Sequence, residues 1–364
     1  MSGGHDVTRR ALEVVRPSIR ALTAYSLNRP AGEGEVVRLD FNEAPHDVPA
    51  ELKAEVLRRL GERRWSHYPE FGSPRLVRAI AAQHGVEPEQ VVVGNGSGEL
   101  LLAAVSVFAG GGGTLLLAPP TFSLYQQMAL LAGAEVATVP RRPPDFALEV
   151  EAFSARAADG ERTVPLLCAP NNPTGNPASR DVVARIARES RVLLLDQAYV
   201  DFSDPGDDAI PLLPELPHLV VFRTLSKAFA AAGFRIGYAL AHAELAREIR
   251  KAVLPFSVDL AAEELALALL ERPEFSRGAV ETVRVERERV RLALLSLGAS
   301  VAPAGGNFLF FTIPGTGGAA LFSELARRGV VVREPSPAAP DHIRVTVGTR
   351  SENDAFLRAL EGCR

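Results

Sequence analysis

The chain is constrained most by a repeated arrangement between about residue 90 and about residue 240. Short runs of β-branched residues or leucine are each followed by a turn, and several are then followed by a segment of helical length. The predicted strands are Val91–Val93, Leu115–Leu117, Val136–Val139, Val164–Leu167, Val192–Leu195, Leu219–Phe222 and Ile236–Leu240. The predicted helices between them are Glu99–Phe108, Phe122–Leu131 and Arg180–Glu189. Apolar strands that alternate with helices predict an α/β domain with a mostly parallel sheet, because helices cover both faces of such a sheet.

The pattern changes after Pro255 and predicts a second, smaller α+β lobe. Two predicted helices, Leu260–Leu270 and Ser276–Leu297, come first. They are followed by the strand Phe308–Ile313, the helix Ala319–Arg328, the strands Val330–Val332 and Ile343–Val347, and the helix Glu352–Leu360. We therefore predict a large domain over residues 41–252 and a small C-terminal domain over 253–364, with an N-terminal arm and part of the small domain in residues 1–40.

One uncharged stretch, Leu100–Pro119, resembles a membrane span by hydropathy alone. Gly110–Gly113 interrupts it, so a helix, a turn and a strand are the better prediction. The N-terminus carries Asp6 and Glu13 and lacks the apolar segment of a signal peptide. The chain also has two cysteines, too few for a disulfide framework, and a formal net charge of −4. These features predict a cytoplasmic protein that binds neither a membrane nor nucleic acid.

A glycine-rich loop, Gly94–Gly98, joins the first predicted strand to the helix after it. Small residues and free backbone N–H groups at a helix N-terminus are typical of a phosphate-binding cradle. The glycines have the spacing G-x-G-x-G, and the apolar run Leu115–Ala118 occupies the region where a dinucleotide-binding fold carries its ribose-binding acid. The loop therefore indicates a phosphate site rather than a dinucleotide site, and a tight turn without a ligand is the alternative.

Polar side chains follow two further strands, at the edge where ligands of such sheets bind. Asn172 lies in a segment stiffened by two prolines, where an amide either binds a ligand oxygen or forms a structural Asx turn. Asp196 directly follows an apolar strand, so its carboxylate needs a cationic or hydrogen-bonding partner, with helix capping as the alternative. Tyr199 lies three residues later and is a further polar aromatic group at this edge.

Only three of the 40 basic residues are lysines, so chemistry that needs an amine nucleophile has three candidates. Lys53 and Lys251 lie in charged segments typical of helical surfaces. Lys227 is instead flanked by hydroxyl-bearing and small residues after an apolar strand, and Arg235 follows eight residues later. Lys227 is therefore the candidate nucleophile.

In order along the chain, these motifs resemble the fold-type I aminotransferases, which use pyridoxal 5′-phosphate. The resemblance is closest to the histidinol-phosphate aminotransferase family and covers nearly the whole chain. It is carried by the segments Leu39–Glu43, Tyr68–Glu70, Gly94–Ser97, Pro119–Phe122, Asn171–Gly175, Arg223–Phe229 and Arg344–Arg350. It implies a large lobe with a mostly parallel seven-stranded sheet in an α/β/α sandwich, and a smaller α+β lobe.

The resemblance implies a role toward the cofactor for each polar strand-end residue. Lys227 would bind the cofactor aldehyde covalently and then move the proton of the substrate Cα, as a nucleophile and general base do. Asp196 would pair with the pyridinium nitrogen and keep it protonated. Asn172 and Tyr199 would hydrogen-bond the phenolic oxygen. Phe122, which stands in place of a frequent tyrosine, would stack on the ring.

The cofactor phosphate would be held by a set of backbone and side-chain donors, among which an arginine offers a planar fork. These donors are Gly96, Ser97, Gly98, Thr224, Ser226 and Arg235, with Tyr68 reaching in from a second subunit. A residue contributed across a subunit boundary implies a homodimer. The chain departs from the family at Gln197, where a glutamate is usual, and at Gly98, where many relatives have aspartate.

For the substrate, the resemblance implies Arg344 as the anion-binding residue and Arg333 as a second candidate. Tyr25 of the N-terminal arm, Asn42 and Glu43 are implied at the substrate side. The implied reaction is transamination of L-histidinol phosphate with 2-oxoglutarate, without a metal. Aromatic amino acid aminotransferases and threonine-phosphate decarboxylases share nearly all these motifs. From a different class, the fold also occurs as a non-catalytic ligand-sensing domain, which the intact lysine disfavours.

Overall fold

The computed structural model describes residues 10–20, 22–24 and 36–363. Within them the helices are α1 (Pro17–Arg20), α2 (Ala50–Gly61), α3 (Pro74–His84), α4 (Gly96–Phe108), α5 (Leu124–Ala132), α6 (Val150–Ala158), α7 (Arg180–Arg188), α8 (Ala243–Arg250), α9 (Leu260–Leu270), α10 (Pro273–Ser296), α11 (Gly318–Arg327) and α12 (Arg350–Glu361). The strands are β1 (Val37–Leu39), β2 (Val91–Asn95), β3 (Thr114–Leu117), β4 (Glu135–Thr138), β5 (Thr163–Cys168), β6 (Leu193–Asp196), β7 (Leu219–Thr224), β8 (Ile236–Leu240), β9 (Ser300–Val301), β10 (Phe308–Thr312), β11 (Val330–Val332) and β12 (Ile343–Thr346).

A seven-stranded sheet in the order β2-β8-β7-β6-β5-β3-β4 forms the centre of the larger lobe. The strands from β7 to β4 run parallel to one another, whereas β8 is antiparallel to both of its neighbours. The predicted α/β lobe with a mostly parallel sheet is confirmed. The sequence predicts these strands from their apolar runs because helices cover both faces of the sheet. Every residue of β6 and β7 is accordingly buried.

The two faces of the sheet carry separate cores, which follow from the alternation of side chains along each strand. Leu193 and Leu195 pack on one face with residues from α3, α6, α7 and α9. Leu194 packs on the other face with residues from α4, α5 and α8. This arrangement is a three-layer α/β/α sandwich, and it holds the carboxyl ends of the parallel strands along one edge.

The register of the sheet brings the polar strand-end residues together at that edge. Cys168 lies opposite Asp196, and Asp196 lies opposite Phe222. Because β8 runs in the reverse direction, its first residues lie at the same edge, where Gly237 pairs with Thr224. Arg235, which directly precedes β8, is therefore brought to the ends of the parallel strands.

The smaller lobe contains a three-stranded antiparallel sheet, in the order β12-β10-β9, and the parallel pair of β1 and β11. Phe311, Leu325 and Phe356 lie in its core. Helix α9, in contrast, packs against α2 and α3, and Leu265 belongs to the core of the large sheet. The division into residues 1–40, 41–252 and 253–364 stays a prediction.

The uncharged stretch Leu100–Pro119 forms most of α4, a glycine turn and β3, as predicted. Leu100 and Leu101 are apolar because they are buried against the sheet. In the described part of the chain, no helix is both long and apolar enough to cross a membrane.

The other predicted elements are present, with boundaries that move by three residues or fewer. The sequence analysis gave no range for β1, α1, α2, α3, α6, α8 or β9. Strands β1 and β9 are only three and two residues long, so their sequences carry too little alternation to be recognised.

Candidate active site

A cavity of about 640 Å³ opens at the carboxyl edge of the large sheet and is also lined by residues of the smaller lobe. Most of the predicted site residues line it: Glu43, Ser97, Gly98, Phe122, Asn172, Asp196, Tyr199, Thr224, Ser226, Lys227, Arg235, Arg333 and Arg344. Gly96, Asn42 and Tyr68 do not belong to this lining, and Tyr25 lies outside the described residues. The topology thus gathers side chains that are far apart in sequence around one space.

Lys227 presents its amine to this cavity from the connection that follows β7. Its Nζ donates hydrogen bonds to the carbonyl oxygens of Phe41, at 2.9 Å, and Asn42, at 3.0 Å. Burial, together with the positive charge of Arg344, lowers the pKa of Lys227 to about 7. An amine with this pKa is substantially neutral near pH 7, which a nucleophile requires.

The other two lysines lie on the surface and are paired with acids. Lys53 contacts Asp47, and Lys251 lies 2.6 Å from the carboxylate of Glu248. Lys227 is therefore the one lysine on the cavity, as the sequence predicts.

Asp196 ends β6 with its carboxylate held by two donors. The backbone N–H of Ala198 donates to Oδ1 at 3.0 Å, and the hydroxyl of Tyr125 donates to Oδ2 at 2.6 Å. Burial raises the pKa of Asp196, so a cation placed against this carboxylate would stabilise its ionised form. Gln197 points elsewhere, because its amide donates to the carbonyl of Asp207.

The sequence analysis missed Tyr125. Its hydroxyl reaches Asp196 from α5, and its ring meets Phe122 edge-on with 5.4 Å between ring centroids. The available signal was the spacing of three residues between Phe122 and Tyr125, which in the predicted helix Phe122–Leu131 puts both side chains on one face. In the structure Phe122 lies two residues before α5.

A donor-rich cradle lies where α4 begins. Gly96 has a φ of +77°, and a Cβ built there would lie 2.3 Å from Nη2 of Arg235. Arg235 also approaches the hydroxyl of Ser226 at 3.3 Å, and Thr224 donates to the same hydroxyl at 2.9 Å. Glycine at position 96 therefore lets a guanidinium and a helix N-terminus share one space, which suits an anion such as phosphate.

The two adjacent asparagines have different surroundings. Asn171 is fully buried and holds its loop, since its amide donates to the carbonyl of Pro120 at 2.9 Å and to the hydroxyl of Thr174 at 2.8 Å. Asn172 instead lines the cavity, and its Oδ1 accepts a hydrogen bond of 2.5 Å from Arg344. Asn171 therefore has the structural role in this segment, whereas Asn172 faces the cavity.

Two guanidinium groups enter the cavity from the smaller lobe. Arg344, on β12, is 7% exposed, and its Nη2 donates to the carbonyl of Asp40 at 2.5 Å. The backbone N–H of Arg333 donates to the carbonyl of Arg344 at 2.9 Å, so the two residues are neighbours across a bridge. The carboxylates of Glu43 and Glu334 line the same cavity. A ligand with an anionic end and a cationic or N–H-bearing end would find complementary groups here.

Tyr199 and Asn42 form a buried pair beside the amine. The Asn42 amide donates to the Tyr199 hydroxyl at 3.1 Å, and burial raises the pKa of Tyr199 to about 12. Asn42 itself is 0% exposed. Its amide contacts Tyr199 and Thr346, and the implied contact between Asn42 and substrate stays a prediction.

Tyr68 lies on the surface, 81% exposed, and stacks on Phe256 with 4.7 Å between ring centroids. Phe71 contacts Phe256 edge-on, and the indole of Trp65 is also exposed. Tyr68 does not reach the cavity of its own chain, so any role at such a cavity requires a second subunit.

Comparison with known proteins places these residues in a family context. A family model described as aminotransferase class I and II matches residues 34–360. The chain is 40% identical to a histidinol-phosphate aminotransferase of Thermococcus gammatolerans over 325 residues, covering 89% of this chain and 91% of the relative.

Solved structures share the fold. A histidinol-phosphate aminotransferase from Sinorhizobium meliloti, crystallised with pyridoxal 5′-phosphate, aligns with a TM-score of 0.85 at 22% identity, covering 95% of this chain and 96% of that one. An L-threonine-O-3-phosphate decarboxylase from Porphyromonas gingivalis aligns with a TM-score of 0.78 at 23% identity, covering 90% of this chain and 99% of that one. The fold is thus common to enzymes of different reaction types.

Proposed function

Because the chain belongs to the aminotransferase class I and II family, we propose that it transfers the amino group of L-histidinol phosphate to 2-oxoglutarate, with pyridoxal 5′-phosphate as its cofactor. The observation that carries the proposal is one cavity that joins a low-pKa amine, a phosphate cradle and two guanidinium groups. The relative that is 40% identical supports the choice of substrate. These features together describe an enzyme that handles two anionic substrates in turn.

The cavity residues fit pyridoxal phosphate. The N-terminus of α4, Ser226 and Arg235 supply donors for a phosphate, and the absence of a Cβ at Gly96 leaves room for it. The buried carboxylate of Asp196 suits the protonated ring nitrogen, and Phe122 offers an aromatic face. When bound, the cofactor supplies an electron sink for the pair released at the substrate Cα.

Lys227 would hold the cofactor aldehyde and, after the substrate amine replaces it, accept the proton of the substrate Cα at Nζ. Its pKa of about 7 supports both tasks, because the same atom has to be neutral to attack and basic enough to take a proton near neutral pH. Asn172 and Tyr199 line the same cavity as the amine and would hydrogen-bond the phenolic oxygen of the cofactor.

Arg344 would bind the carboxylate of glutamate or 2-oxoglutarate, or the phosphate of histidinol phosphate. In the structure its guanidinium is bonded to Asn172 and to the carbonyl of Asp40, so a bound anion would compete with these partners. Arg333 would be the second anion-binding group, and Glu43 also lines the cavity. A fork of donors on each arginine suits carboxylates and phosphates alike.

The substrate assignment predicts a ranking of half-reactions. We expect the cofactor-loaded enzyme to react with histidinol phosphate about 100-fold or more faster than with phenylalanine or tyrosine, because a phosphate carries nearly two negative charges for the two guanidinium groups, whereas the single carboxylate of those amino acids carries one. Stopped-flow absorbance of the cofactor, with each amine in separate experiments, measures these rates. Phenylalanine reacting faster than histidinol phosphate would make this an aromatic aminotransferase, and carbon dioxide release from threonine phosphate would make it a decarboxylase.

The exposed aromatic patch of Trp65, Tyr68, Phe71 and Phe256 supports the proposal of a homodimer. In such a dimer the hydroxyl of Tyr68 would bind the phosphate held by the other subunit. Two free cysteines support the proposal that the enzyme works in the cytoplasm.

If each site is formed by residues of two subunits, two chains with different defects should together form one intact site. Tyr68→Phe should weaken cofactor affinity by about 10–100-fold through the loss of one hydrogen bond to a charged group. A hybrid of Tyr68→Phe with Lys227→Ala should contain one intact site, formed by Lys227 of the first chain and Tyr68 of the second. Purified hybrid should therefore bind cofactor at that site with wild-type affinity, as measured by fluorescence titration. If Tyr68 serves its own chain, the hybrid will instead retain the weak affinity of Tyr68→Phe.

A further inference from the structure

Asn42 lies between the two lobes in a conformation that is unusual for a residue with a side chain. Its φ is +52°, in the left-handed region, and it is 0% exposed. Its backbone N–H donates to Thr346 at 2.9 Å, and its carbonyl accepts from Lys227 and Asn307, each at 3.0 Å. A strained backbone conformation of this kind persists where several contacts with the surrounding structure hold it in place, and it is frequent at functional sites.

The side-chain amide of Asn42 has a defined polarity. Thr346 donates its hydroxyl hydrogen to Oδ1 at 3.2 Å, and Nδ2 donates to the Tyr199 hydroxyl oxygen at 3.1 Å. An amide has one accepting end and one donating end, so the bond from Thr346 turns the donating end toward Tyr199. Because the Tyr199 oxygen accepts from Asn42, its single hydrogen is left for an acceptor in the cavity, which Tyr199 lines.

We propose that Asn42 is a positioning residue that makes the Tyr199 hydroxyl a hydrogen-bond donor to the phenolic oxygen of the bound cofactor. The inference rests on the proposed function. Asn42 also links the two lobes through Thr346, which lies two residues from Arg344 on the same face of β12. The strand that carries the substrate-binding guanidinium therefore also orients the amide behind Tyr199.

The proposal predicts a shift in the pH titration of the linkage between Lys227 and the cofactor. A donor on the phenolic oxygen stabilises negative charge, which is greatest after the linkage nitrogen has lost its proton. Removal of the donor should therefore raise the midpoint of the absorbance titration. Asn42→Gly is the sharpest variant, because glycine keeps a positive φ and the backbone bond to Lys227 while deleting only the amide. We expect a rise of about one pH unit, as for a lost hydrogen bond to a charged group.

Matched variants distinguish an effect of hydrogen-bond direction on the titration midpoint from a loss of packing. Asn42→Asp keeps the shape but offers only accepting oxygens when ionised, so it should draw the Tyr199 hydrogen away and raise the midpoint at least as much. Thr346→Val removes the hydrogen bond that orients the Asn42 amide and should raise the titration midpoint by a smaller amount. Thr346→Ser keeps the hydroxyl and should leave the midpoint unchanged. The Tm of each variant, measured alongside, reports loss of packing, which by itself would not move the titration.

A double-mutant cycle with Tyr199→Phe tests whether Asn42 acts through the Tyr199 hydroxyl. Tyr199→Phe should raise the midpoint on its own, and adding Asn42→Gly to it should change nothing further. If Asn42→Gly leaves the midpoint unchanged, or raises it equally without the Tyr199 hydroxyl, the inference is wrong while the proposed function stands. If Tyr199→Phe itself leaves the midpoint unchanged, the cofactor role proposed for Tyr199 fails together with the inference.

Discussion

Replacement of Lys227 by alanine is expected to remove the absorbance band of the Lys227–cofactor linkage and to lower turnover by more than about 10⁴-fold. The general base alone contributes about 10²–10⁴-fold in enzymes of this kind, and the variant also loses the covalent anchor. Lys227→Arg should be equally inactive, because a guanidinium keeps the charge but is never deprotonated. Lys53→Ala is the matched control: its lysine is exposed and paired with Asp47, so both band and turnover should be unchanged.

The same residue predicts a pH dependence for cofactor capture. The neutral amine attacks the aldehyde, so the rate at which the cofactor-free protein forms the linkage should rise with pH and level off above its pKa. Burial and Arg344 lower that pKa to about 7, so the midpoint should lie near pH 7 rather than near the value of 10.5 for an ordinary lysine. Stopped-flow mixing with pyridoxal phosphate measures the midpoint. A midpoint near pH 10, or an absorbance band that survives in Lys227→Ala, contradicts the assignment.

Replacement of Asp196 by asparagine is expected to lower turnover by about 10²–10⁴-fold. The variant keeps the shape but removes the charge that would hold a proton on the ring nitrogen, and breaking a buried charge pair costs about 3–5 kcal/mol. Steady-state rates with histidinol phosphate and 2-oxoglutarate measure the loss. Retention of more than about a tenth of wild-type turnover would mean that the ring nitrogen does not depend on this carboxylate.

A methylated cofactor supplies the control for Asp196→Asn. Pyridoxal phosphate that carries a methyl group on its ring nitrogen has a permanent positive charge, so it needs no carboxylate to keep it. It should restore part of the turnover of Asp196→Asn, which a variant damaged in folding would not permit. Tyr125→Phe removes the 2.6 Å hydrogen bond to the same carboxylate and should cause a smaller loss, of about tenfold.

The fold and the residues that line the cavity could be predicted because short, local sequence patterns indicate both. Strands such as β6 are apolar along their whole length since helices cover both faces of the sheet. Parallel strands also end at one edge, so Asp196 and Lys227, which follow β6 and β7, meet at the cavity although no local signal relates them.

The contacts between distant segments could not be predicted in this way. Asn42, Thr346 and Asn307 come together only when the smaller lobe folds against the large sheet, and each alone is an ordinary polar residue. The resemblance implies that Asn42 lies at the substrate side, but it gives no sign that the Asn42 amide is buried and donates to Tyr199. Tyr125 was missed because its partner, Asp196, lies 71 residues away.

The reversed direction of β8 has a consequence for ligand choice. Lys227 and Arg235 lie in the single connection between β7 and β8, whose two ends are fixed by the pairing of Thr224 with Gly237. That connection therefore limits the separation between the amine proposed to bind an aldehyde and the guanidinium proposed to bind a phosphate. If both groups bind as proposed, the connection would select ligands by length: an aldehyde whose phosphate lies at another distance would contact one of the two groups but not the other.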